Sequence, residues 1–280
     1  MSKQTKASET ALTTALMRAL ACYCEDDIPG LTYKDHLAKS FLPQEQRKKL
    51  DESLYRNAVK SKARNGLFEY IIARTAYFDE LYLQGLAENI PQIVILGAGY
   101  DTRAYRYQTK DYTGKVFEID APLTQKNKIH RLEENEIPHK HVNFVPVDFE
   151  IEDLMEGLTR HKYDKNQPTL WLWEGVTLYL TSEAVTKTIK DIISTEGESM
   201  VGFDFLASQP NGEELIQRKD EQVLFGLDPL QMVSFLKEIG FNNAWVMDWQ
   251  EMNRRYLTFK DGEIFGSIKK TMAFVKAMKF

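Results

Sequence analysis

The chain has 280 residues, 43% of them hydrophobic and 28% charged, with a formal net charge of −5. That length and balance suffice for a large buried core, and a net negative chain lacks the excess of Lys and Arg that a general grip on phosphate backbones requires. Nucleic acid is therefore not an expected partner. The only cysteines, Cys22 and Cys24, are too few for a disulfide framework or a four-cysteine metal site.

The opening residues lack the charged, apolar and small-residue layout of a secretory signal, and no run of about 18 apolar residues occurs. A soluble, cytoplasmic protein with no membrane or metal partner is the expectation. Ser8–Cys22, rich in Ala and Leu, predicts a helix, and residues two apart on a helix, as Cys22 and Cys24 would be if it ran on, point in different directions. Asp26–Pro43 reads as a loop. Phe68–Leu81 carries apolar residues three and four apart and predicts a second helix, which cannot continue past Pro91. Arg74 on this helix reads as a solvated surface charge.

From Gln92 the rhythm changes. Short apolar runs at Ile93–Leu96, Lys115–Ile119, Val142–Val147, Thr169–Trp173 and Ser199–Phe205 alternate with helix-compatible stretches at Ala121–Asn135, Glu152–Arg160 and Ser182–Ser194. Such alternation predicts an α/β fold, a parallel sheet with helices on both faces. Asp228–Gly240 reads as a helix closed by its glycine, and Asn243–Trp249 and Lys270–Lys279 as two last strands. The basic ending also has the composition of a membrane-surface helix, but its β-branched and aromatic residues favour the strand. One domain is expected over 1–280, with 1–90 as a helical cover and 91–280 as a Rossmann-like core.

In an open parallel sheet, ligands bind beyond the carboxyl ends of the strands. Gly97 and Gly99, after the first strand, fit that place, as does Ala98 between them. A third small residue would complete a dinucleotide motif, but Thr102 stands there, with Tyr100 and Asp101 just before it. Asp120 ends the second strand 23 residues past Gly97, where a ribose-binding carboxylate belongs; a solvated Asp before the helix-starting Pro122 is the alternative. Asp148 follows the third strand and either faces an adenine amino group beside Phe149 or caps a helix beginning near Ile151. Glu174 follows the fourth. Acids thus close three successive strands.

Leu96-Gly97-Ala98-Gly99-Tyr100-Asp101-Thr102-Arg103, Phe117-Glu118-Ile119-Asp120-Ala121-Pro122, Val147-Asp148-Phe149 and Glu174-Gly175-Val176-Thr177-Leu178-Tyr179-Leu180, with Arg74-Thr75-Ala76-Tyr77-Phe78-Asp79 upstream, are similar in kind and order to the leucine carboxyl methyltransferase family and its bacterial branch. The resemblance covers roughly residues 60 to 185. It implies a class I methyltransferase fold, a mostly parallel seven-stranded sheet binding S-adenosyl-L-methionine. It further implies that Arg74 pairs with the cofactor's methionine carboxylate, that Gly97, Ala98 and Gly99 line the amino-acid moiety, and that Asp120 holds the ribose. Asp148 and Phe149 would frame the adenine, and Glu174 would accept from the α-ammonium. Phe149 and Ala121 depart from the residues common in the family.

The implied reaction is O-methylation of a carboxylate or hydroxyl on a small molecule. Methylation of a protein C-terminal carboxylate and a non-catalytic cofactor-binding module are the alternatives, with a nicotinamide oxidoreductase behind them. No catalytic base is assigned; His130, His139 and His141 take structural or solvated roles. Tyr179, with Trp171 and Trp173 near it in sequence, is the candidate for the acceptor side, although burial against a helix also accounts for the two tryptophans. The N-terminal helices and Ala207–Leu227 are expected to form a lid that selects the acceptor.

Overall fold

The computed structural model describes residues 8–24, 28–31, 34–63, 66–148, 152–207, 223–268 and 272–280. Seven strands among them form one sheet: β1 Gln92–Leu96, β2 Lys115–Asp120, β3 Val142–Pro146, β4 Thr169–Trp173, β5 Ser199–Leu206, β6 Asn243–Met247 and β7 Met272–Lys279. Their order is β3-β2-β1-β4-β5-β7-β6. The first five run parallel, and β7 is antiparallel to both β5 and β6. Ile93 pairs with Val116 on one side and Leu170 on the other, so β1, β2 and β4 end together. The order reverses at β1, and a crevice opens at such a switch point.

The described helices are α1 Glu9–Ala21, α2 Gln44–Lys49, α3 Ser53–Lys62, α4 Leu67–Ala87, α5 Arg103–Arg106, α6 Pro122–Glu134, α7 Leu154–Arg160, α8 Ser182–Ile193, α9 Pro229–Ile239 and α10 Trp249–Tyr256. None is long and apolar enough to cross a membrane.

Strand alternation sorts the apolar side chains into two layers. Ile93, Ile95, Leu170 and Leu172 face a cluster built with α1 and α4. Val94, Leu96, Trp171, Trp173 and Phe203 face the other, with Val185 and Ile189 of α8 and Leu236 of α9. Helix α4 lies close on the sheet because two glycines make room. A Cβ on Gly202 of β5 would sit 2.3 Å from Leu81 Cδ1, and one on Gly85 would sit 2.6 Å from Leu170 Cδ2. This close packing puts the Tyr70 and Arg74 turn of α4 over the end of β5. Arg74 is therefore not a surface charge: it is only 7% exposed, on a helix whose neighbouring residues are also buried.

Local capping explains where several elements begin. Ser8 Oγ accepts from Ala11 N at 3.1 Å at the start of α1, and Asp228 Oδ1 accepts from Leu230 N at 2.9 Å at the start of α9. Capping also corrects two expectations, and a third falls to a short helical turn. Strand β6 stops at Met247 rather than Trp249 because Asp248 caps α10, accepting from Glu251 N at 2.9 Å. Helix α7 starts at Leu154, capped by Asp153 through Met155 N and Glu156 N, so Asp148 is not its cap. The stretch read as a loop contains a 3-10 turn at Ala38–Phe41, whose Phe41 is fully buried. The chain's basic ending is the strand β7, hydrogen-bonded on both sides.

Candidate functional site

A cleft of about 360 Å³ opens over the carboxyl ends of β1, β2 and β4. Gly97, Ala98 and Gly99 form its floor beyond β1, with Asp120 and Asp148 at the ends of β2 and β3. Glu174 after β4 and Arg74 from α4 lie on the far wall, near Tyr179. The roof is α1, which contributes Ala11, Thr14 and Arg18. Arg18 Nη2 donates to Tyr100 O at 2.6 Å, tying α1 to the glycine loop.

The loop is built for glycine at two positions. Gly97 has φ +65°, and a Cβ there would lie 2.3 Å from Val176 Cγ2. Gly99 has φ +44°, and a Cβ would come within 3.2 Å of Ala11 on the roof. The loop is also tied to β2. Asp120 accepts from Gly99 N at 2.5 Å and from Ala121 N at 2.7 Å. Burial pushes the Asp120 carboxyl up to about 6, against the pull of these two N–H donors and of Lys128.

On the opposite wall, Glu174 lies between two arginines. Arg74 Nε donates to its Oε1 at 2.9 Å, and Arg103 Nη1 to its Oε2 at 2.6 Å. Arg103 is 1% exposed and also donates to Asp79 Oδ1 at 2.7 Å, Asp101 Oδ2 at 2.5 Å and Thr75 O at 3.2 Å. A planar guanidinium with five donors can serve this many acceptors; an ammonium cannot. Burial alone would raise the Asp101 carboxyl, but Arg103, Lys128 and Arg18 and the Arg103 N–H hold it at about 2. Arg74 and Glu174 thus present a fixed cation and a fixed anion side by side on the cleft wall.

Other residues fall elsewhere. Trp171 and Trp173 are fully buried in the layer under α8, because their positions on β4 point away from α1 and α4, so neither stands with Tyr179. His141 Nε2 is 2.8 Å from Ala104 O and His139 Nδ1 is 2.9 Å from Ile137 O, while His130 pairs with Glu134 on the exposed face of α6. Phe149, and residues 208–222 of the lid segment expected over Ala207–Leu227, lie outside the described residues. Sequence reasoning passed over Asp101, Arg103, Tyr70 and Asp204. The signal for Asp204 was available: a carboxylate set between Phe203 and Phe205 in an apolar strand makes a fourth acid at the same sheet edge.

The model of the leucine carboxyl methyltransferase family matches residues 11–193. The chain belongs to that family. Among its relatives is a Mycobacteroides abscessus protein described as a "Putative S-adenosyl-L-methionine-dependent methyltransferase", 32% identical over 84% of this chain and 75% of the relative. A Mycolicibacterium smegmatis protein of like description is 33% identical over 67% of this chain and 63% of its own length. A Thermobifida fusca protein whose crystal structure is described as that of "a putative methyltransferase" shares the fold, with a TM-score of 0.59 at 15% identity, covering 99% of this chain and 97% of the other. This leucine carboxyl methyltransferase family member is an S-adenosylmethionine-dependent methyltransferase, with the seven-stranded, mostly parallel sheet of class I enzymes. Its cleft suits that cofactor: a buried cation and anion for a zwitterionic end, and a strand-end carboxylate beyond a glycine loop for a ribose.

Proposed function

We propose that this enzyme transfers a methyl group to an oxygen of a small molecule, a carboxylate in preference to a hydroxyl. S-adenosylmethionine, when bound, supplies a methyl group already activated on a sulfonium. The residues of the chain then bind, orient and exclude water. Arg74 faces the methionine carboxylate, Glu174 the α-ammonium, and the Gly97–Gly99 backbone the amino-acid moiety between them. Asp120 accepts from the ribose, and Asp148 stands beside the adenine. Tyr179 lies toward the acceptor. Holding the two reactants in line accounts for much of the acceleration such a displacement needs.

The observation that carries the reading is the single cleft that brings Arg74, Glu174 and Asp120 to one sheet edge. The preference for a carboxylate rests on protonation. A carboxylate is ionised at neutral pH and needs no base, whereas a hydroxyl gains from one. None of the five histidines is among the described residues lining the cleft. Of the cleft carboxylates, Asp101 and Glu174 are engaged by arginines, and Asp120 and Asp148 are assigned to the cofactor's ribose and adenine. The family's name, leucine carboxyl methyltransferase, points to the same acceptor chemistry.

The experiment has two stages. Calorimetry with S-adenosylmethionine, S-adenosylhomocysteine and NAD, alongside Asp120→Ala, should give binding of the two sulfur ligands only, weakened in the variant. Labelled methyl transfer to a panel of carboxylic acids and alcohols comes second. Product label released by mild base marks a methyl ester, and base-stable label marks an ether. Transfer only to alcohols would overturn the carboxylate preference, and failure of both sulfur ligands to bind would overturn the site.

A further inference from the structure

Asp204 takes no part in lining the cleft, yet it is 0% exposed and charged chemistry converges on it. Its Oδ1 accepts from Gly175 N at 2.6 Å, and its Oδ2 accepts from the hydroxyl of Tyr70. Tyr70 sits one turn before Arg74 on α4. Its hydroxyl lies 3.5 Å from Arg74 Nη1, which is itself 3.7 Å from Asp204 Oδ2. The Arg74 guanidinium also stands 5.1 Å from the centre of the Tyr70 ring. The Asp204 backbone carbonyl accepts from Thr177 Oγ1 at 2.5 Å, just beyond the same turn.

Both elements of the far wall are therefore pinned to one residue. Tyr70 and Arg74 belong to α4, while Glu174, Gly175 and Thr177 belong to the turn after β4. The glycine at 175 is part of the arrangement: with φ +69°, a Cβ there would lie 2.6 Å from Arg74 Nη1. The turn is thus pressed directly against the guanidinium, and any shift of one is felt by the other. Gly202, one residue pair back along β5, admits Leu81 and sets the depth of α4 over the strand.

Stability alone is a poor reason for this cluster. A carboxylate buried at this depth loses its hydration, and apolar packing of similar volume commonly stabilises as much or more. What a buried, hydrogen-bonded charge supplies is a defined geometry for its partners. We propose that Asp204 and Tyr70 are a positioning pair that sets the Arg74 guanidinium and the Glu174–Gly175 turn as one rigid receptor for the zwitterionic, amino-acid end of the cofactor. The inference rests on the cofactor placement proposed above. It adds that specificity for the amino-acid end depends on two residues behind the cleft wall, which touch neither cofactor nor acceptor.

The test compares two ligands. S-adenosylhomocysteine carries the amino-acid end; 5′-methylthioadenosine lacks it and keeps the ribose and adenine. Tyr70→Phe should weaken S-adenosylhomocysteine binding about tenfold, in keeping with loss of a hydrogen bond to a charged group. It should leave 5′-methylthioadenosine affinity within about twofold. In an Arg74→Ala background Tyr70→Phe should then cost clearly less than about tenfold, since only the Glu174–Gly175 turn is left to position. Asp204→Asn should show the same pattern; if it fails to fold, Tyr70→Phe decides alone. Equal weakening of both ligands, no weakening of either, or the full tenfold loss without Arg74 would each overturn the positioning role. If Arg74→Ala weakens S-adenosylhomocysteine while Tyr70→Phe does not, only this inference falls. If the wild-type protein binds neither ligand, the cofactor placement falls and takes the inference with it.

Discussion

The Asp120 carboxylate and the backbone N–H of Gly99 meet at 2.5 Å, so the end of β2 holds the glycine loop beyond β1. An acid spent partly on its own loop has less hydrogen-bonding capacity for a ligand but a fixed orientation toward it. Its protonation sets a pH dependence. The folded-state pKa is raised to about 6, above the ordinary Asp value. The folded protein therefore binds the proton more tightly than the unfolded chain, and ionising Asp120 costs stability as pH rises through the window from about 4 to 6.

Ligand binding has the opposite sense under the cofactor placement proposed above, in which ribose hydroxyls donate to the carboxylate anion. S-adenosylhomocysteine affinity should rise with pH up to about 6 and then level, with a slope of at most about tenfold per pH unit below that point. Asp120→Asn should bind about ten- to a hundredfold more weakly at pH 7.5 and lose the slope. Calorimetric titrations from pH 5 to 8 read both effects; a slope that survives in the variant would show that Asp120 is not its source.

Gly97 and Gly262 separate backbone strain from crowding. Both have positive φ, +65° and +91°, but a Cβ on Gly97 meets Val176 Cγ2 at 2.3 Å while one on Gly262 meets nothing within 4 Å. Gly262→Ala should cost about 1–2 kcal/mol from conformation alone. Gly97→Ala should add about 1–3 kcal/mol of overpacking, and thermal melting should show a correspondingly larger drop, at about 2–4 °C per kcal/mol. Val176→Ala in the Gly97→Ala background should recover part of it. Equal losses at the two glycines, with no recovery, would mean that the loop yields to the added methyl.

Arg103 binds three carboxylates and is 1% exposed, so no other side chain replaces it without loss. Arg103→Gln should destabilise the fold by about 3–5 kcal/mol in urea unfolding, since buried anions are left uncompensated. The acid limb carries a second signature. In the wild type Asp101 has a folded pKa of about 2, below its unfolded value. Its stabilising contribution is complete above about pH 4 and is lost as pH falls toward 2. Without Arg103, burial dominates and raises the Asp101 pKa, so acidification should relieve the variant where it harms the wild type. Parallel stability–pH curves for the two proteins would contradict this account of Asp101.

Legibility in the sequence divides along physical lines. Strands β1 to β5 and the acids at their ends were readable because a parallel sheet imposes short apolar runs and brings the residues just after each run to one edge. The burial of Arg74 was not readable, since nothing local to Phe68–Leu81 reports that Gly85 and Gly202 let α4 sink onto the sheet. The same applies to Arg103, whose three carboxylate partners lie on α4, on the glycine loop and after β4. Long-range charge clusters leave no periodicity behind. Helix α10 escaped for a different reason: Asp248 caps it immediately after an aromatic and β-branched run, and that run reads on as strand.

The roof of the cleft supplies the last prediction. Helix α1 is fastened over the glycine loop by Arg18 on Tyr100 O at 2.6 Å and by Ser8 N on Thr124 Oγ1 at 3.2 Å. Ala11 lies between these ties and lines the cleft. A small residue there keeps the space beneath it open. Ala11→Phe should fill part of that space and weaken S-adenosylhomocysteine more than about tenfold. Because the side chain projects into the cleft rather than the packed core, the melting temperature of the ligand-free protein should fall by less than about 4 °C, equivalent to roughly 1–2 kcal/mol. Unchanged affinity would mean that α1 moves aside when the cofactor binds, and its ties through Arg18 and Ser8 would then have to break on every turnover.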